Sequence, residues 1–230
     1  MPVIDPARTV AELAVERPGR VRIFERLGLE YCCGGRRPLE EACRSAGLDT
    51  PTVVAMLEAV ESADTDVRDW AAAPLEELVD HVVTVHHAYL RDELPRLSEL
   101  VTKVARRHGD TDPRLGVVRQ TFEQLHDDVF DHIDVEELVV FPAARRAAAG
   151  EPLDASLLAA AVEEAEEEHA RVGAALALLR ESTDGYTPRE DACPSWRALL
   201  DRLATLEADL HEHVHEENNI LFPRALALAA

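Results

Sequence analysis

Two strings in this 230-residue chain leave the fold little freedom: His132-Ile-Asp-Val-Glu136-Glu-Leu-Val-Val-Phe-Pro142 and His213-Val-His-Glu-Glu217-Asn-Asn-Ile-Leu-Phe-Pro223. Both read H-x-x-x-E-[EN]-x-x-[VL]-F-P, and the sequence has no other long self-similarity. Residues four apart lie one above the other on a helix. Each string therefore aims an imidazole and a carboxylate at one point. Each also continues an apolar stripe: Leu125, Val129, His132, Glu136, Val139 in the first, and Leu206, Leu210, His213, Glu217, Ile220 in the second. A glutamate on an inward face is costly unless its charge is met, and its neighbours here are histidines rather than arginines. Something must neutralise two such buried glutamates, and a metal cation does that best.

The rest of the chain is patterned to match. Strand-type alternation is nearly absent and apolar residues recur at three and four, so the fold class is all-α. Short segments broken by Pro18-Gly19, Gly34-Gly35 and Gly47 describe a small helical domain over residues 1–62. A polar stretch makes 63–73 a linker, and residues 74–230 form the main domain. The periodicity predicts four long helices near 74–107, 113–148, 153–181 and 195–228, with short turns that give an antiparallel four-helix bundle. Pro95, Pro142 and Pro223 fall inside these helices and are expected to disturb them.

The charge balance, 24 − 45 = −21, argues against nucleic acid or an anionic membrane as partner. The first residues resemble no export signal, and no apolar run approaches a membrane span. Cys32, Cys33, Cys43 and Cys193 are too few for a disulfide scaffold. The expected location is the reducing cytoplasm.

The bundle reads as an internal duplication. His87 precedes His132 by 132 − 87 = 45 residues, and His169 precedes His213 by 213 − 169 = 44. His169 is embedded in the stripe Leu158, Val162, Ala165, His169, Val172, Leu176, Leu179. The ligand set is then His87, His132, Glu136, His169, His213 and Glu217. In the first helix only one of the adjacent His86 and His87 can face the core. The duplication spacing and the steps to Leu90, Leu94, Leu97 and Val101 favour His87, with His86 the alternative. Six donors exceed what one zinc takes and lack structural-zinc thiolates, and calcium or magnesium would want oxygen alone. Mixed imidazole and carboxylate ligation in a helical core marks a di-iron or di-manganese centre, with the glutamates bridging. His81, His108 and His126 read as ordinary structural histidines, and His211 and His215 as flanking residues. The run Glu163–Glu168 reads as a solvated face, Cys43 as core, and Cys193 as a loop residue without a partner.

With its H-x-x-x-E strings and inward His87 and His169, residues 74–229 resemble a haemerythrin-like H-H-E domain. Phe24-Glu-Arg-Leu-Gly-Leu-Glu-Tyr31-Cys-Cys-Gly-Gly35 resembles the small N-terminal domain of the iron–sulfur cluster repair di-iron proteins. The resemblance covers nearly the whole chain. It implies a cytoplasmic, often homodimeric protein carrying two non-haem iron ions joined by an oxo or hydroxo bridge. It also implies protection or repair of iron–sulfur clusters damaged by nitric oxide or oxidants, with iron–sulfur proteins as clients. The family's four-histidine, two-glutamate pattern maps onto the six residues above. Haemerythrins proper carry more histidines at the metal and lack the Cys-Cys domain.

Cys32 and Cys33 are expected to act with the iron centre. Adjacent Cα atoms lie about 3.8 Å apart, below usual disulfide spacing. Neighbouring thiols on a Gly-Gly turn suit transient holding of ferrous iron or a nitrosyl group. Reversible binding of oxygen or nitric oxide, and reduction of nitric oxide or peroxide, are the competing functions. Neither obviously needs the cysteine domain.

Overall fold

The computed structural model describes residues 4–61 and 68–230. These residues are helical, apart from turns and an antiparallel bridge between Thr9 and Pro38. The N-terminal region contains α1 (Val10–Glu16), α2 (Val21–Leu27), α3 (Leu39–Ser45) and α4 (Thr50–Glu61). Thr9 and Glu12 cap α1 reciprocally, each side chain accepting from the other's backbone N–H. Gly28 ends α2 in the left-handed conformation (φ 64°) that glycine adopts without strain. Val10, Leu13, Phe24, Leu39 and Leu57 meet in a core of their own.

The bundle begins with α5, which runs Leu75–His81, passes through a π turn at Val82–His87, and continues as Ala88–His108. α6 comprises Arg114–Val135, a π turn at Glu136–Val140, and Phe141–Ala148. α7 spans Ala155–Ser182, capped by the Asp154 carboxylate. α8 comprises Pro194–Glu216, a π turn at Glu217–Leu221, and Phe222–Ala229. α5 packs on α6 and α8, and α7 on α6 and α8, as a four-helix ring requires.

The π turns follow the repeated strings, starting at Glu136 and at Glu217. A proline lacks the N–H for the regular ladder, and its ring crowds the carbonyl four residues back. The wider turns ahead of Pro142 and Pro223 accommodate both. They also shift the helix register. Val139, expected inward, is 52% exposed, and Val140 takes the buried place.

The ligand level lies between two apolar cores. One gathers Leu90, Leu94, Phe122, Leu125, Leu176, Leu206 and their neighbours. The other gathers Leu78, Val82, Phe141, Leu158, Ile220 and Phe222 with theirs. Of the expected linker 63–73, residues 63–67 lie outside the described residues. The remainder is anchored to the bundle: Arg224 donates to the carbonyls of Trp70 and Ala73 at 2.8 and 2.6 Å, and the Trp70 ring lies tilted against His81 with centroids 4.3 Å apart.

Candidate metal centre

The structure brings His87, His132, Glu136, His169, His213 and Glu217 together in the interior, each at most 3% exposed. They form two overlapping tetrads, His87–Glu136–His213–Glu217 and His132–Glu136–His169–Glu217, each with donor atoms within 4.8 Å of one another. Both glutamates belong to both tetrads, and they do so through different oxygens. Glu136 Oε2 lies 3.4 Å from His87 Nε2, and its Oε1 lies 3.3 Å from His132 Nε2. Glu217 Oε1 lies 3.0 Å from His213 Nε2, and its Oε2 lies 3.2 Å from His169 Nε2.

Within each tetrad the imidazole Nε2 atoms face each other, at 3.2 Å for His87–His213 and 2.8 Å for His132–His169. Two donors about 2.1 Å from one cation and at right angles would stand about 3 Å apart. None of the four carboxylate oxygens has a hydrogen-bond donor, although all are buried. Stranded carboxylate oxygens in a dry interior cost several kcal/mol per ion, on the order of what burying a whole leucine side chain or two returns. Two cations, one per tetrad, would meet every one of these groups. The donor set fits a bridged metal pair.

Electrostatics shows the same strain. Burial raises both carboxyls, and repulsion by Glu217 adds to this at Glu136. The surrounding imidazoles outweigh both effects and hold the carboxyls below their ordinary range. Burial in turn depresses the imidazoles, but the glutamates reverse this at His87, His169 and His132, the last pushed up to about 9. At His213 burial wins and the value is lowered.

Further side chains fix the ring orientations. His87 Nδ1 bonds Glu137 Oε1 at 2.8 Å, His132 Nδ1 bonds Glu168 Oε2 at 2.7 Å, and His169 Nδ1 bonds Asn218 Oδ1 at 2.8 Å. An acceptor at Nδ1 places the proton there and turns the Nε2 lone pair inward. Arg91 in turn donates to Glu137 at 2.6 Å and to Asp134 at 2.8 Å. Phe141 stacks on the His87 ring and Phe222 on the His169 ring. The repeated string thus has a use for most of its letters. Its histidine and glutamate face the tetrads, the next residue orients the histidine of the preceding helix, and its phenylalanine covers that histidine.

Sequence reasoning missed Glu137, Asn218 and Glu168 as orienting groups. The first two were signalled by the shared [EN] position. Glu168 departs from the solvated-face reading, since it is turned towards His132. The structure also places His87, not His86, in the tetrad. His86 is buried beside it and takes up Asp209 at 3.0 Å. Cys43 is buried in the N-terminal core. Cys193, expected without a partner, lies 3.3 Å from His108 Nε2.

The cysteine pair sits against the bundle rather than on a free turn. Cys32 is 5% exposed and its Sγ lies 2.8 Å from Glu30 Oε1. Cys33 Sγ lies 3.3 Å from the backbone carbonyl of His169. Asn219 donates to the carbonyls of Tyr31 and Cys32 at 3.2 and 3.4 Å, and Arg36 pairs with Glu166. His211 and His215, read as flanking residues, face this region through Glu25 and the Tyr31 carbonyl. A hydrogen bond from Cys32 holds Cys33 low, and that bond together with burial holds Cys32 high. A cavity of about 200 Å³ adjoins the pair, with Tyr31, Cys32, Gly173 and His211 in its wall.

Comparison with known proteins agrees with this geometry. Residues 78–225 match the Hemerythrin HHE cation binding domain. Over 95% of its length the chain is 33% identical to the iron-sulfur cluster repair protein YtfE of Enterobacter sp. (strain 638), covering 96% of that protein. The chain belongs to the hemerythrin HHE family of iron-sulfur cluster repair proteins. The YtfE protein of Pectobacterium atrosepticum is 34% identical over the same shares, and that of Escherichia coli O157:H7 is 32% identical. The N-terminal part of this HHE protein, residues 6–61, matches a Domain of Unknown function (DUF542). No helix among the described residues is long and apolar enough to cross a membrane.

Proposed function

We propose that this HHE protein holds two iron ions in the paired tetrads and uses them, with Cys32 and Cys33, to restore iron–sulfur clusters damaged by nitric oxide or oxidants. The observation that carries this reading is the adjacency of the two features: the backbone of the tetrad residue His169 is in direct contact with Cys33. Four relatives and more bear the repair protein's name over nearly their full length, which supports the same reading.

Bound iron supplies one-electron redox chemistry and open positions for small neutral ligands such as nitric oxide and oxygen. The chain's own residues do the rest. Glu136 and Glu217 tie the two tetrads together by dividing their oxygens between them. Glu137 and Glu168 accept at the outer nitrogens of His87 and His132 and keep the inner lone pairs turned to the tetrads. Phe141, Phe222 and the two apolar cores exclude water. Cys33, the more readily ionised thiol of the pair, offers a soft ligand at the docked face of the N-terminal region, and Cys32 backs it with a proton. The clients are iron–sulfur proteins, and the setting is the cytoplasm.

The test is incubation of iron-loaded protein with a nitrosylated or oxygen-damaged iron–sulfur hydratase. Recovery of hydratase activity is expected beyond that given by free ferrous salt with thiol, and the Cys32→Ser, Cys33→Ser double variant should lose the excess. Equal recovery with salt and thiol would overturn the reading.

A further inference from the structure

A second histidine–carboxylate cluster lies outside the tetrads, on the side of His213. His81 and His86 of α5 and Glu216 of α8 direct donor atoms to one spot, all within 4.8 Å of one another. Glu216 Oε2 stands 3.5 Å from His81 Nε2 and 3.7 Å from His86 Nε2. His86 and Glu216 are each 3% exposed, yet His86 Nε2 and Glu216 Oε2 make no hydrogen bond. Asp209 holds His86 Nδ1 at 3.0 Å, as the Glu137 and Glu168 carboxylates hold the tetrad histidines, and so presents Nε2 to the cluster.

Backbone geometry creates this arrangement. Residues five apart diverge on a regular helix, but a π turn closes at i+5. The turn at Val82–His87 brings His81 and His86 to the same side. The duplication marks the spot as well. The residue before His169 is Glu168, which bonds His132. Its counterpart before His87 is His86, which leaves His213 Nδ1 without a hydrogen bond and only stacks its ring on His213 at 5.3 Å. The two halves differ here, and the difference adds a ligand.

We propose that His81, His86 and Glu216 form a third cation site, taking ferrous iron labile to exchange, beside the buried pair. Two imidazoles and one carboxylate with remaining positions open are the donor set that suits ferrous iron. The His81 side chain is 24% exposed, so the site reaches solvent where the tetrads do not. Three protein ligands bind less firmly than four with shared carboxylates. The cluster therefore suits iron in passage between solvent and the interior. This role rests on the repair reading above, whereas cation binding at the cluster does not.

Anaerobic titration of the metal-free full-length chain with ferrous iron tests it. Two tightly held equivalents and a third, weaker one are expected. His81→Phe, which keeps a ring against Trp70, and Glu216→Gln should each lose the third equivalent and keep the tight two. Glu136→Ala should lose tight binding and keep the outer equivalent, so failure of the inner pair is read separately. Absence of the weak equivalent in the unmodified chain, or its persistence in both outer-site variants, would overturn the proposal and leave His86 as an imidazolium between Asp209 and Glu216.

Discussion

Asn218 and Glu137 occupy the same place in the two halves, and each carries a consequence out of proportion to its size. Neither touches the inward nitrogens, but each decides which nitrogen of a buried histidine holds the proton. Loss of such an orienting partner typically weakens metal binding about 10–100-fold. Asn218→Leu and Glu137→Leu are each expected to do so here, read by competition with a ferrous chelator, while helical content stays unchanged. Gly35 constrains the cysteine turn just as closely. A Cβ there would lie 2.5 Å from the Tyr31 carbonyl oxygen and 3.0 Å from Ala11 Cβ, and the Gly35 carbonyl accepts from Ala11 N–H at 2.9 Å. Backbone must move to admit it. Gly35→Ala should cost about 1–3 kcal/mol in chemical denaturation and open Cys32 to a thiol reagent. An unchanged reaction rate would show that the turn yields without exposing the thiol.

At the level of the helices, the sequence was legible wherever the regular period held and misleading where it broke. The stripe from Leu158 to Leu179 on α7 is buried throughout, as its spacing requires. The stripe on α6 was read one residue too early at its end, because the π turn at Glu136–Val140 inserts a residue that no apolar pattern announces. Only one of His86 and His87 was expected to face inward, yet both are buried: His87 faces the tetrad, and the same turn type sets His86 beside His81 and Asp209. Of the six tetrad residues, His132, Glu136, His213 and Glu217 were legible because each lies before or at the start of its π turn, still in register. His169 was legible because α7 runs as regular helix, and His87 through the duplication spacing. The shifted register is testable: Val140→Ala should cost about 1–3 kcal/mol, and Val139→Ala at most about 0.5 kcal/mol. The turn between α5 and α6 offers a pH test. Asp112 is buried and bonded by Arg114 at 2.9 and 3.0 Å, and Arg114 holds its carboxyl below the ordinary value. A depressed folded-state pKa contributes stability above the unfolded value of about 3.9 and loses it as pH falls through the folded one. Because Arg114 is 43% exposed, solvent screens the pair, so Asp112→Asn should cost about 1 kcal/mol at neutral pH. Thermal melts of the two proteins should converge as the pH drops below that range.

Across the whole molecule the question is how firmly the N-terminal region sits on the bundle. Its attachment is mainly polar: Arg36 to Glu166, Glu25 to His211, Asn219 to the Tyr31 and Cys32 carbonyls, and the sulfur of Cys33 against α7. The apolar part is limited to Val15 on one bundle core and the Tyr31 ring against His211 and His215. Exposed ion pairs of this kind contribute roughly 0–1 kcal/mol each, far less than either apolar core. The cysteine domain is thus held by contacts weak enough to be exchanged for a client's. Gly173 is the point at which to press. Its position on α7 faces Cys33, and a Cβ there would meet Sγ at an ordinary 3.8 Å, so Gly173→Ala should be silent. A leucine at the same position extends beyond that contact into the space held by the sulfur, and Gly173→Leu should lift the N-terminal region off α7. The tetrads lie between two apolar cores that the N-terminal region touches through the partly buried Val15, so the metal content and absorption spectrum of iron-loaded protein should survive. Reaction of Cys33 with a thiol reagent should accelerate, and cluster repair should fall. If Gly173→Leu instead repaired clusters at full rate with Cys33 freely reactive, the contact between the cysteine pair and the metal centre would be a resting arrangement only, and transfer would have to occur with the two parts separated.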